Sequence, residues 1–278
     1  MLSYLTFTIS PEQEGLTVEQ LLREQGFSKN AVSRLKNAAC SFSIAQRRVN
    51  SNHILHAGDI LTEPISNQSA PHCAIEPWEM PLNLVYEDEY FLVTDKPSGM
   101  PMYPHHQGGN GSLANILASH YPKQTFHALN RLDANTAGLV VIAKNAYILH
   151  QLQKAEVSKY YLLYAEGFLA GEGIIDLPLV HLNGQPRVLI DPKGKEARTA
   201  YKVLKSGSAK SLVWVQLLTG RTHQIRAHFS ALGHPLWGDR LYGSSHGEGY
   251  RLLAYHLHFN HPMSGKLLEF ESPQALCF

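Results

Sequence analysis

From Pro81 onward the chain is cut into short apolar runs separated by Gly, Pro and Asn: LVYEDEYFLVTDKPSG, GLVVIAKN, KYYLLYAEG, SLVWVQLLTG and YHLHFNHPMSGKLLEF. Runs of this length bounded by turn formers read as strands. Helical spacing is rarer, and its clearest instances are Ser112 to His120, Tyr147 to Lys154 and Gln224 to Leu232. Strands in series with only occasional helices predict an α+β domain, built on a mixed, mainly antiparallel sheet flanked by helices.

Upstream of Pro81 the texture differs. In LTVEQLLREQG, Val18, Leu21 and Leu22 are spaced for a short amphipathic helix that Gly26 ends, and a second helix fits Lys29 to Ala39. Arg47 to Asn50 and Ile54-Leu55 read as short strands, and Gly58-Asp59 makes a turn before Ile60 and Leu61. At roughly 150 residues per domain, 278 residues leave room for two. The expected division is a small unit over 1–65, an aperiodic linker over 66–80 and a larger domain over 81–278.

Cys40, Cys73 and Cys277 are odd in number and form no C-x-x-C pair, which argues against a disulfide framework and a Cys-based zinc site. No apolar run approaches the roughly 20 residues of a membrane span, and the opening MLSYLTFTISPEQEG lacks a basic leader. The expectation is a cytoplasmic protein without a membrane partner.

With 24 Lys plus Arg against 23 Asp plus Glu, the formal charge is only +1. The signs are nonetheless segregated. Between Gln25 and Gly58 the charged residues are Lys29, Arg34, Lys36, Arg47 and Arg48; between Ala197 and Gly238 they are Arg198, Lys202, Lys205, Lys210, Arg221 and Arg226. Neither stretch contains an acid, so each could face phosphates or be an ordinary solvated face whose acidic neighbours come from elsewhere in the fold.

Two stretches carry candidate chemistry. LNRLDANTAGLVVIAKN reads as a strand ending at Leu132-Asp133, a turn through Gly138 and a buried strand. LLTGRTHQIRAHFSALGHPLWGD reads as strand, turn, helix and loop. Arg221 opens that helix and Arg226 lies five residues on, so they cannot share one helical face and must do different jobs. A metal site through His223 and His228 with Asp239, His256 or His258 has poor spacing and no nearby Glu.

These residues resemble the RluA-type pseudouridine synthases. The likeness runs through YEDEYFLVTDKPSG, NRLDANTAGLVVIAKN, KYYLLYAEG, GKEARTAYKVL and GRTHQIRAHFSALGHPLWGDRLYG, five ordered blocks between Pro81 and Pro273. The resemblance implies isomerisation of uridine to pseudouridine in structured RNA, ribosomal or transfer, calling for neither cofactor nor metal. By the motif match, Asp133 is the essential carboxylate, Arg221 its cationic partner, and Tyr161 the aromatic that stacks on the uracil and helps move the C5 proton. Arg131 matches the arginine that displaces the target base. Lys29, Arg34, Lys36, Arg47, Arg48 and Arg226 are then the expected RNA contacts.

The N-terminal unit resembles an S4 RNA-binding domain in its two short helices, basic residues and HAGDI turn, with SFSIAQRRVNSN where that domain has its V.VNG strand and turn. The family pattern is also broken by Asn130 for the usual His before Arg-Leu-Asp, Ala137 for Ser, and Leu253 where a His is common. Those substitutions keep open an alternative, a catalytically impaired RNA-binding protein on the same fold.

Overall fold

The structure is a computed structural model and describes residues 4–27, 29, 32–33, 42–64, 75–104, 106, 109–122, 124–182, 184–247 and 249–276. Near the N-terminus, β1 (Tyr4–Thr8) pairs antiparallel with β4 (Ile60–Pro64), and β2 (Ser43–Ile44) and β3 (Arg47–Arg48) complete a four-stranded sheet in the order β1-β4-β2-β3. Helix α1 (Val18–Glu24) lies between β1 and β2 in sequence. Thr17 and Gln20 cap it reciprocally: the Gln20 amide N–H reaches the Thr17 hydroxyl at 3.2 Å, and the Thr17 N–H donates to the Gln20 side chain at 2.8 Å. Val18, Leu21 and Leu22 are buried as their spacing predicts. Most of the helix expected over Lys29 to Ala39, including Arg34 and Lys36, lies outside the described residues, as do residues 66–74 of the expected linker.

Ile54-Leu55 is not a strand. Ile54 makes an isolated bridge to Thr17, and Leu55 exchanges backbone hydrogen bonds with Gly15 and Leu16. The segment satisfies its polar backbone against the loop leading into α1, and so needs no ladder.

The main sheet contains β5 (Leu84–Glu87), β6 (Phe91–Lys96), β7 (His127–Ala128), β8 (Ala137–Ala143), β9 (Ser158–Glu166) and β10 (Glu172–Asp176). A separate two-stranded ribbon joins β11 (Leu179–Val180) to β12 (Leu189–Ile190). The main sheet is completed by β13 (Arg198–Lys205), β14 (Lys210–Leu217), β15 (Leu252–Asn260) and β16 (Leu267–Glu271). Its ten strands run β10-β13-β14-β9-β15-β8-β6-β5, with β16 on β15 and β7 on β8. Among the described strands one pair, β8 with β15, is parallel. The α+β expectation with a mixed, mainly antiparallel sheet is met.

The helices packed with the sheet are α2 (Leu113–His120), α3 (Ala146–Lys154) and α4 (Gln224–Ala231), each within a residue of its expected span. Strand β8 is buried at all seven positions, which explains its unbroken apolar run AGLVVIA. Its Gly138, at φ 111°, passes so close to β15 that a Cβ there would lie 2.3 Å from the Ala254 carbonyl oxygen.

The N-terminal unit is docked on α3. Leu5, Leu21, Leu22 and Val32 belong to the same buried cluster as Phe91, Val93, Leu139, Ile148 and Leu152. Tyr147 receives Phe7 edge-on at 5.7 Å and stacks on Phe27 at 5.0 Å. Gly26, at φ 93°, turns the chain directly against His150, where a Cβ would lie 1.8 Å from the ring. Gly26→Ala is therefore expected to cost about 1–2 kcal/mol through the left-handed backbone alone, with the displaced ring adding to it. An unchanged urea midpoint would contradict that packing.

Candidate active site

The turn holding Asp133 is built by its sequence neighbours. Asn130 acts as a strand mimic: its side chain donates to the Leu139 carbonyl at 3.0 Å and accepts from the Val141 N–H at 2.9 Å. The chain from β7 is thereby pinned along β8, so Asn in place of His still fixes the approach to Asp133. The turn closes through the Thr136 N–H to the Asp133 carbonyl at 3.1 Å. Below it, fully buried Lys96 donates to the carbonyls of Pro97, Met100 and Ala134 at 2.9, 2.8 and 3.0 Å. Burial pushes the Lys96 ammonium down to about 8, while the Asp133 carboxylate works to raise it.

Asp133 lies in a cleft of about 820 Å³ whose lining includes Arg131, Tyr161, Arg221, His223 and Arg226. Its cationic partner is Arg226, not Arg221: Arg226 Nη1 meets Asp133 Oδ2 at 3.0 Å. The other edge of that guanidinium grips buried Asp239, Nε to Oδ2 at 2.7 Å and Nη2 to Oδ1 at 2.9 Å. The Tyr250 and Tyr242 rings lie against it, 4.3 and 4.9 Å from its central carbon. Burial works against the charge on Arg226, and the hydrogen bonds to Asp239 with the surrounding anions overcome it, so its pKa is raised. Arg221 instead lies exposed ahead of α4 and donates through Nε to the Glu196 carbonyl at 2.9 Å.

The arginine that meets Asp133 is thus Arg226 and not the expected Arg221. The helix begins only at Gln224, after His223 in a left-handed conformation (φ 52°, ψ 19°), so Arg221 belongs to the preceding loop while Arg226 points inward from the first turn. Arg226 is also too deeply buried, at 6% exposure, to serve as the surface RNA contact expected of it.

Tyr161 lies on β9 opposite Val215 of β14 and Ala254 of β15, and reaches the cleft from the sheet face it shares with Leu163. Burial first, and the Asp133 charge second, raise its pKa, so the phenol stays protonated at neutral pH. Arg131 is exposed at the cleft, whereas Lys29, Arg47 and Arg48 are exposed on the N-terminal unit and do not line it. Leu253 is buried but alternates with Leu252 and Ala254, which share the Tyr161 face. Losing a histidine there therefore leaves the Asp133 contacts untouched.

Sequence reasoning missed Tyr250, whose hydroxyl donates to Asp133 Oδ2 at 3.2 Å and meets Thr136 Oγ1 at 3.2 Å. It weighed His223 and Asp239 only as metal ligands. Among the described residues no group of three His, Cys, Asp or Glu is placed to hold a metal ion, and no helix is long and apolar enough to cross a membrane.

His228 is fully buried, with Nδ1 2.9 Å from Thr199 Oγ1 and Nε2 2.9 Å from the Leu177 carbonyl. Burial lowers its pKa below the ordinary 6.5, as it does for His127 and His223. The unfolded chain therefore takes up protons near pH 6.5 that the folded chain refuses until lower pH. Stability should be fully present above pH 6.5 and fall as pH drops below it towards the folded values. Urea midpoints at pH 7.5 and 5.5 measure this, and a higher midpoint at 5.5 would contradict it.

A family model for RNA pseudouridylate synthase matches residues 90–231. The ribosomal large subunit pseudouridine synthase D of Nitrosomonas europaea is 36% identical over 214 residues, covering 70% of this chain and 62% of that protein. The uncharacterised RNA pseudouridine synthase YjbO of Bacillus subtilis is 33% identical over 271 residues, covering 93% of this chain and 95% of its own length. Among solved structures, human RNA pseudouridylate synthase domain containing 1 superposes with a TM-score of 0.59 at 26% identity, over 72% of this chain and 86% of that one. With a family model over half of its length and a relative matched almost end to end, the chain belongs to the RNA pseudouridylate synthase family, in its RluA-type branch.

Proposed function

We propose that this chain isomerises uridine to pseudouridine in structured RNA, with Asp133 as the group that reacts beside the sugar. The observation carrying this reading is a carboxylate at an 820 Å³ cleft, held by the buried Arg226 guanidinium at 3.0 Å. In the isomerisation the N1–C1′ bond breaks, the base turns, and C5 bonds to the same sugar carbon. The C5 proton leaves and N1 gains one, so no oxidant or reductant is consumed. Asp133 supplies an anion that can act as nucleophile or base. Tyr161 supplies a flat face for a base taken out of its stack, and its protonated phenol can accept a proton only by passing on its own. Arg131 occupies the mouth, suited to fill the place the base leaves.

Arg221, exposed beside the cleft, takes the phosphate-facing role first expected of Arg226. Lys29, Arg47 and Arg48 extend the basic surface on the N-terminal unit, which serves as an S4-like RNA grip ahead of a catalytic domain over 81–278. Relatives named for the large ribosomal subunit make ribosomal RNA the first candidate substrate and transfer RNA the second, with the cytoplasm as the place of action. The test is pseudouridine mapping of total RNA from cells with and without the gene. Sites lost on deletion and restored by the chain are expected; identical maps would overturn the reading and favour a binding protein.

A further inference from the structure

Three groups converge on Asp133, and all of them meet the same oxygen. Arg226 Nη1 is 3.0 Å, Tyr250 Oη 3.2 Å and His223 Nε2 3.5 Å from Oδ2. No described residue forms a hydrogen bond or ion pair with Oδ1. The carboxylate is held by one oxygen and offers the other to the cleft.

The protonation of His223 follows from its own partners. The backbone N–H of Val188 donates to the Tyr242 hydroxyl oxygen at 2.8 Å, and Val188 has no other proton to give there. The same hydroxyl stands 3.0 Å from His223 Nδ1. Among the described residues Nδ1 is the one acceptor placed for the Tyr242 O–H; donation there makes Nδ1 the acceptor and leaves the imidazole proton on Nε2. That proton is aimed at Asp133 Oδ2. The distance of 3.5 Å is long for a finished hydrogen bond, as such contacts commonly are before substrate seals a site.

The backbone of His223 points the same way. It is a non-glycine residue at φ 52°, a left-handed position that Gly or Asn fills with less strain, directly at the start of α4. The unstrained choices would lose the imidazole at this position.

We propose that His223 is a positioning residue: as the neutral, Nε2-protonated imidazole fixed by the Val188–Tyr242 chain, it joins Arg226 and Tyr250 in holding Oδ2 of Asp133, so that Oδ1 is the oxygen presented to the substrate. The proposal rests on the isomerase reading above. Burial, which lowers the pKa of His223, is consistent with a neutral ring at pH 7. The charged and titratable groups around the ring are Asp133 on the turn before β8, Arg226 on α4, Asp239 and Tyr242 on the segment after it, and His181 beyond β11.

The experiment measures single-turnover release of tritium from total ribosomal and transfer RNA labelled at uridine C5. His223→Gly relieves the left-handed strain while removing the ring, and His223→Gln restores an amide donor of similar reach. The Gly variant should keep its thermal midpoint and its half-saturating RNA concentration while the maximal rate falls about 10- to 100-fold. The Gln variant should recover part of that rate. Tyr242→Phe frees Nδ1 for protonation, so the acid limb of its rate profile should move to higher pH. Equal maximal rates for wild type and His223→Gly overturn the proposal, as does a Gln variant no faster than Gly or an acid limb unmoved in Tyr242→Phe. A wild-type chain that releases no tritium fails the isomerase reading instead.

Discussion

Asp133→Asn is expected to slow pseudouridine formation by at least about 10⁴-fold while leaving the folded chain and its RNA affinity nearly unchanged. Asn keeps the shape of the side chain and an oxygen for the contacts now made by Arg226 and Tyr250 at 3.0 and 3.2 Å. What it loses is the anion: a neutral amide is neither a useful nucleophile nor a base at this position. Arg226 keeps its two-point pairing with Asp239, so its buried charge is not stranded. The exposed cations at the cleft and on the N-terminal unit are untouched, and removing a negative charge cannot weaken attraction to phosphate. Single-turnover tritium release and equilibrium RNA binding, measured on the same preparation, separate the two effects. A rate within tenfold of wild type would remove Asp133 from the chemistry.

The parts of this site that could be read from the sequence are those written in contiguous blocks. Asp133, Arg131, Thr136 and Gly138 sit in one stretch, and the strand-turn-strand geometry they need is local. The continuous apolar run of β8 announced a strand buried on both faces, which the structure places inside the main sheet. The choice between Arg221 and Arg226 was of another kind. Their spacing established that they face different ways, but which one faces Asp133 depends on where α4 starts, and that is set by the left-handed turn at His223. No composition rule marks a histidine for that conformation.

Tyr250 was beyond reach for a different reason: it lies 117 residues from Asp133, in a loop with no helical or strand periodicity, and only the docking of β15 alongside β8 brings it to Oδ2. Asn130 looked like a loss because its usual counterpart is a histidine. Its value lies in two backbone contacts to β8, which an amide satisfies by presenting a donor and an acceptor at once. Substitutions at such positions are judged by the partners they keep, and those partners belong to the tertiary structure.

Arg226→Met should destabilise the chain by about 3–5 kcal/mol and abolish activity. Asp239 is 2% exposed and takes two guanidinium hydrogen bonds, so removing the arginine leaves a buried carboxylate with no cation. Lysine does not replace it. One ammonium cannot span both oxygens of Asp239 and still reach Asp133, because the present arrangement uses Nε, Nη1 and Nη2 on two edges of a planar group. Arg226→Lys should therefore recover only part of the stability and little of the rate.

The double variant Arg226→Met with Asp239→Leu separates folding from catalysis. Removing both members of a buried pair avoids the stranded charge, so much of the lost stability should return. Asp133 Oδ2 would still lack its cationic partner, and the rate should stay at the single-variant level. Urea denaturation and tritium release on the single and double variants test both halves. A stable, inactive double variant is the expected result, whereas an Arg226→Met chain as stable as wild type would show that the pairing with Asp239 carries no weight in the fold.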